Sequence, residues 1–292
     1  MRTAAVIGAN SMLGVQLTSR LAAMEVRTLS VGRHQDADIR LDLGKGFLSA
    51  IPDKTRADVV FHCASSFADD THEGLRQNFQ VNTAGCIWVL ELAEHLESDS
   101  IIYAGSLSSL ESLDINGCSS YGFTKGEAEN ILSWGMKRLG RRFCSLRFSQ
   151  LYDTNGICIR HQPWFGRIIA YAANCLDINM PRSDGPRNFL HVADAVEMLI
   201  SASDSTLTGV LDIVAPELYT YHEMGTLAYS LFGKGGQVFV DQNKTPFRRV
   251  NFPDGSQSFR ALGHTPTISI TDGIARIRDR NTWSAFGPLD VT

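Results

Sequence analysis

Short apolar runs alternate along the chain with longer stretches in which apolar positions recur every three or four residues. The runs are Thr3–Ile7, Val26–Val31, Asp58–His62, Ser100–Ala104 and Phe143–Phe148. The helical stretches run to about Ala23, from about Leu75 to Leu96, and from Tyr121 to about Leu139. An unbroken apolar strand belongs to a sheet covered on both faces, whereas a strand with one wet face alternates. Strand–helix pairs repeated in this way predict a doubly wound parallel α/β sheet, Rossmann-like in form. After Gln150 the texture changes, and Gly-, Asn- and Pro-containing loops separate shorter elements. Helices are expected at about Pro163–Asn174, at His191–Ala202 and after Ser269, with a strand at Val210–Val214. The reading is a sheet domain over residues 1–150 and a smaller α/β substrate-binding region over 151–292, with some later segments returning to the sheet.

Composition narrows the class. The chain has 292 residues, 43% hydrophobic and 20% charged, enough to bury a sizeable core. A net charge of −4 with no Lys/Arg cluster argues against nucleic-acid binding. No apolar run is long enough to span a membrane, and no cleavable signal pattern precedes the first strand, so a cytoplasmic protein is expected. Six cysteines without a Cys-x-x-Cys spacing read as free thiols, and no metal site is expected.

Chemistry enters at the turns. The first strand ends in Gly8, and Gly8-Ala9-Asn10-Ser11-Met12-Leu13-Gly14 leads into a helix. A strand, a glycine turn and a helix N-terminus present backbone N–H groups and partial positive charge to a pyrophosphate. Gly8 allows the tight turn and Gly14 the close helix packing, while Ser11 stands where a middle glycine is usual. The second strand ends in Gly32-Arg33, with no acidic residue to accept from a ribose hydroxyl. Arg33 suits a 2′-phosphate, the other reading being a solvated loop arginine. This leans the cofactor to NADP(H), with NAD(H) the alternative. Asp42 and Leu43 read either as an adenine-flanking step or as a simple turn. Cys63, Ala64 and Ser65 follow a strand end, where small residues let a dinucleotide approach. His62 reads as structural more readily than catalytic. Asn82, polar in an apolar helix, needs a partner, for which a backbone carbonyl of the active-site strand is the candidate.

Ser106 ends the fourth apolar strand, and Tyr121 follows fifteen residues later, four before Lys125. That spacing places both side chains on one helical face. A fixed ammonium beside a phenol favours the phenolate and makes the tyrosine a usable proton donor or acceptor. By itself the pair also fits a chance coincidence on an exposed helix; its place after the Ser106 strand favours chemistry.

These motifs, together with Val81-Asn82-Thr83-Ala84-Gly85, Leu146–Tyr152, Arg187–Asp194 and Leu262-Gly263-His264-Thr265-Pro266, resemble the extended short-chain dehydrogenase/reductase superfamily. The branch is that of the NAD(P)-dependent sugar-nucleotide epimerases, dehydratases and reductases. The resemblance implies Tyr121 as proton donor or acceptor, Lys125 on the nicotinamide ribose, and Ser106 orienting the reacting oxygen. It also implies Gly8 to Gly14 on the pyrophosphate, Asp42 and Leu43 on the adenine, and Cys63 to Ser65 along the dinucleotide. Arg187 would grip a substrate diphosphate, and Gln150, replacing a more usual Asn, would contact substrate. Leu107-Ser108 stand where dehydratases of the branch carry Asp-Glu, which argues against elimination of water. The leading expectation is a reductase of a nucleotide-linked keto sugar; the alternatives are an NAD-dependent 4-epimerase and a non-catalytic dinucleotide sensor. Relatives also imply a homodimer through helices 75–96 and 121–139, although those apolar faces equally fit covering the sheet.

Overall fold

β1 (Thr3–Ile7) buries four consecutive residues, Ala4 to Ile7, because helices cover both of its faces. In the computed structural model, which describes residues 1–114, 118–183 and 185–287, this strand is followed by α1 (Met12–Ala23). Then come β2 (Arg27–Gly32), β3 (Ile39–Asp42), β4 (Phe47–Leu48), β5 (Val59–His62), α2 (His72–Asn78) and α3 (Cys86–His95). The first half closes with β6 (Ser100–Ser106), α4 (Ser120–Arg138) and β7 (Arg142–Phe148). The second half holds β8 (Gln150–Tyr152), α5 (Pro163–Ala173), β9 (Ile178–Pro181), β10 (Phe189–His191) and α6 (Val192–Asp204). It ends with β11 (Gly209–Ile213), α7 (Tyr221–Phe232), β12 (Val238–Asp241), α8 (Ser256–Leu262) and α9 (Ile270–Asp279).

The main sheet has eight strands in the order β11–β7–β6–β5–β1–β2–β3–β4, parallel except for β3 with β4. The reversal between β1 and β5 is the switch point at which doubly wound sheets bind ligands, beyond the strands' carboxyl ends. One apolar layer packs α1 and α6 on the sheet, the other α3 and α4. A separate core, centred on Tyr152, Phe165, Tyr221 and Ile274, holds the smaller region. There β8 pairs with β10 and β9 with β12, both in parallel. β11 returns to the main sheet beside β7, in the segment where the sequence places Val210–Val214.

The helix expected over 75–96 is not continuous. Between α2 and α3 the turn at Phe79–Ala84 widens to a π-helix, a form that concentrates at functional sites. It carries Asn82, which is buried and accepts from the Ser66 N–H at 2.7 Å while donating to the Ser66 carbonyl and to Thr124 Oγ1. Asn82 thus ties the loop after β5 to α4 and does not reach a carbonyl of β6. The β6 carbonyl of Ala104 is taken instead by Lys125.

Candidate active site

The carboxyl ends of β1, β5, β6 and β7 open onto one cleft of about 490 Å3. Its walls are the segments that directly follow those strands, so the sheet fixes their spacing. Ser11, Met12 and Leu13 come from the first turn, Cys63 and Ser65 from the exit of β5, and Ser106 from the end of β6. Tyr121 and Lys125 enter from α4, and Gln150 and Arg187 from the smaller region.

The first turn fits a pyrophosphate. Gly8 has φ +80°, and a Cβ on it would lie 2.8 Å from Ala64 N. A Cβ on Gly14 would lie 2.1 Å from Gly8 O. Neither contact can be relieved without moving backbone, so the cradle requires both glycines. Ser11 is the N-cap of α1, its Oγ accepting from Gly14 N–H at 3.0 Å. Its hydroxyl proton is left to donate outward. Asn10 is exposed beside it.

The side chains of Ser106 and Ser65 stand beside the Tyr121 phenol in the cleft wall. Ser119 caps α4 immediately before it, accepting from Gly122 N–H at 3.1 Å. Gly122 has no room for a Cβ, which would lie 1.9 Å from Ser108 O. The capped, tightly seated first turn fixes Tyr121 against the end of β6. Lys125 is 2% exposed and donates to Ala104 O at 2.7 Å. Burial pulls its ammonium down to about 8, while Cys86, Glu129 and Cys63 act to raise it. Burial also raises the Tyr121 phenol, and the neighbouring Ser106 and Ser65 side chains act to lower it. The lowering of the phenol by Lys125 expected from their spacing is not found: the lysine's hydrogen bond goes to Ala104, and solvent exclusion dominates. Cys63, lining the same wall, is a thiol pushed by burial up to about 12 and is no nucleophile. His62 is a neutral core imidazole, held by burial at about 3 against the Tyr103 ring.

At the far end of the cleft Arg187 is 6% exposed. It donates to the carbonyls of Pro186 and Arg248, and its guanidinium lies 5.2 Å from the Tyr221 ring centroid. Burial lowers its pKa. Gln150 donates to Gln162 Oε1 at 2.6 Å.

Beyond the first turn and the exit of β5, four expected residues lie away from the cleft lining. Asp42 is a turn aspartate whose Oδ1 accepts from Gly44 and Lys45 N–H. Leu43 is buried in the core against Gly85. Asn82 braces the loop after β5, as above. Arg33 is exposed just past β2. The structure adds residues that the motifs omit. Phe67 lies edge-on to Tyr121 with centroids 4.5 Å apart, and His161 packs on Phe67. Trp164, Tyr221 and Phe247 form an aromatic group beside Arg187. A single signal was available for one of them: Thr220-x-x-Glu223 is a capping box, which announces the helix that Tyr221 begins.

Among the described residues, no cluster of three metal-ligating side chains occurs and no helix is long and apolar enough to cross a membrane.

Comparison with known proteins agrees with this fold. The fold is similar to UDP-N-acetylglucosamine 4-epimerase from Bacillus cereus, with a TM-score of 0.77 at 16% identity over 96% of each chain. It is similar to UDP-glucose 4-epimerase with UDP-glucose from Thermotoga maritima, with a TM-score of 0.74 at 17% identity over 96% of this chain and 99% of that one. RMD from Pseudomonas aeruginosa complexed with NADPH gives a TM-score of 0.76 at 17% identity, over 97% and 99%. No curated protein sequence matches the chain. The sequence profile of the NAD dependent epimerase/dehydratase family matches residues 4–211. The chain belongs to that family and is an enzyme of the extended short-chain dehydrogenase/reductase type.

Proposed function

We propose that the protein oxidises and re-reduces a hydroxyl of a nucleotide-linked sugar, as a 4-epimerase. The observation that carries this is Tyr121 beside Ser106 and a buried Lys125, in a cleft that continues to Arg187. The nicotinamide dinucleotide, held by Gly8 to Gly14 along Cys63 to Ser65, supplies the hydride acceptor and donor. Ser106 orients the reacting oxygen and donates where negative charge develops. Tyr121 gives a proton to a carbonyl oxygen or takes one from a carbinol. Lys125 presents its ammonium to the ribose. Arg187 offers fixed positive charge to a diphosphate.

The 4-epimerase reading is supported by the family and by the epimerases among the similar folds, and it displaces the reductase expected from sequence. The reductase stays as the second reading because Arg33 stands at the end of β2 with no acidic residue there. Fluorescence titration of NADPH against NADH separates the two. Tight NAD(H), retained through purification, is the epimerase result; a clear NADPH preference, with consumption by a keto sugar, is the reductase result. In the latter case Arg33→Ala weakens NADPH about 10-fold and leaves NADH unchanged, since a charge-assisted bond to phosphate is lost. Equal affinities before and after the substitution make Arg33 a solvated loop residue.

The protein is also proposed to be a homodimer. Phe123 and Trp134 are eleven residues apart on one outward stripe of α4, 50% and 63% exposed. Leu75, Phe79 and Ile87, on the neighbouring helical segments, are exposed as well. Trp134→Glu is expected to give monomers by light scattering, and a wild-type monomer at micromolar concentration would refute the dimer.

A further inference from the structure

We propose that Tyr103 is a positioning residue that holds the Lys125 ammonium through the face of its ring. This rests on the reading of Lys125 as part of the reacting site. Lys125 Nζ lies 4.1 Å from the Tyr103 ring centroid and donates to the carbonyl of the next residue, Ala104. Two consecutive residues of β6 therefore make the bed for one charge. Both side chains are almost fully enclosed, Tyr103 at 1% and Lys125 at 2% exposure. A cation over an aromatic face gains most when water is excluded from it.

The other groups facing the ammonium supply little negative charge. His62 on β5 is neutral, and the thiols of Cys63 and of Cys86 on α3 are pushed by burial up to about 12. Burial raises the phenol of Tyr121 on α4, which stands beside Ser106 and Ser65. Among the described residues, Glu129, one turn beyond Lys125 on α4, is the carboxylate that acts on it, and its oxygens are engaged by Arg147 and Ser145. The Tyr103 ring is thus the electron-rich surface in direct contact. It is itself fixed between His62, at 5.1 Å, and Phe143, at 6.5 Å between centroids. Along β6 the sequence shows Tyr103 only as one more apolar strand position; the contact with α4 gives it a role.

The test is an NMR titration of the Lys125 ammonium in protein labelled at lysine, with the signal assigned by its loss in Lys125→Arg. Tyr103→Phe keeps the face and is expected to leave the titration in place. Tyr103→Leu is expected to lower it by about one unit. Phenylalanine of increasing ring fluorination at the same position keeps the shape and weakens the face, so the titration should fall stepwise even if the leucine variant fails to fold. An unchanged titration across the fluorinated series overturns the proposal. So does a Tyr103→Phe shift as large as that of Tyr103→Leu. The readout needs no turnover, so its failure is distinct from failure of the catalytic reading, which Tyr121→Phe tests.

Discussion

Tyr121→Phe lowers turnover about 1000-fold, the scale of a lost general acid–base group, while dinucleotide affinity and Tm stay near the wild-type values. The phenol stands beside Ser106 at the end of β6 and Ser65 at the exit of β5, and both act to lower its pKa. Phenylalanine retains the ring, and with it the edge contact with Phe67, so only the proton-carrying oxygen is removed. Burial raises this phenol, which therefore stands protonated at neutral pH and is set to donate to a carbonyl oxygen. Taking a proton from a carbinol needs the phenolate, which the neighbouring Ser106 and Ser65 side chains favour. Ser106→Ala should consequently impair the oxidising direction more than the reducing one. Steady-state kinetics in both directions, alongside cofactor titration by fluorescence, check the pair of expectations. Unchanged turnover in Tyr121→Phe would remove the assigned mechanism, whatever the cofactor affinity.

The sheet half was legible because its signals are local. A buried parallel strand is a continuous apolar run, and the turn after β1 carries its own glycines; both are read within a few residues. The proposed catalytic set was legible for the same reason: Tyr121 and Lys125 share one helix, and Ser106 ends the strand beside it. The cleft's other wall was not. Phe67, His161 and Phe247 come from separate loops, Trp164 and Tyr221 from the starts of α5 and α7, and they meet through the pairing of β8 with β10 and the bridges near Ser183 and Arg187. No spacing in the sequence encodes that meeting. The break at Phe79–Ala84 was hidden too, because a π-turn keeps helical apolar periodicity on either side of it. Asp42 shows another limit: its Oδ1 caps its own turn, and no local signal separates that role from the adenine-flanking one. Local chemistry identified what could react, and long-range packing determined what could be bound.

Arg147→Met destabilises the fold by about 3–5 kcal/mol, the cost of breaking a buried ion pair by removing one partner. Arg147 bonds the Glu129 carboxylate through Nε and Nη2, at 3.0 and 2.6 Å to Oε2, and its Nη1 lies 3.6 Å from Asp212. The Glu129 side chain is only 4% exposed, and without the arginine its remaining hydrogen-bond donor in the structure is the Ser145 hydroxyl, at 2.7 Å. Gly105 lies directly against this pair, since a Cβ there would sit 2.8 Å from Glu129 Oε1. No larger residue at 105 could fill the space or relieve the charge. The loss should depend on pH. Burial already raises the Asp212 carboxyl, with Arg147 opposing it, so removing the arginine raises it further. A carboxyl raised in the folded state binds its proton more tightly there than in the unfolded chain. Stability is then retained below the unfolded carboxylate range and lost as pH rises toward the folded value. Denaturant unfolding should accordingly show a larger deficit at neutral pH than in mild acid. Glu129→Leu combined with Arg147→Met should recover more than half of the single-variant loss, because an apolar pair leaves no stranded charge at that contact. If the double variant is no more stable than Arg147→Met, the cost belongs to Asp212 or to packing beneath Gly105, and the ion pair is not what holds α4 to β7.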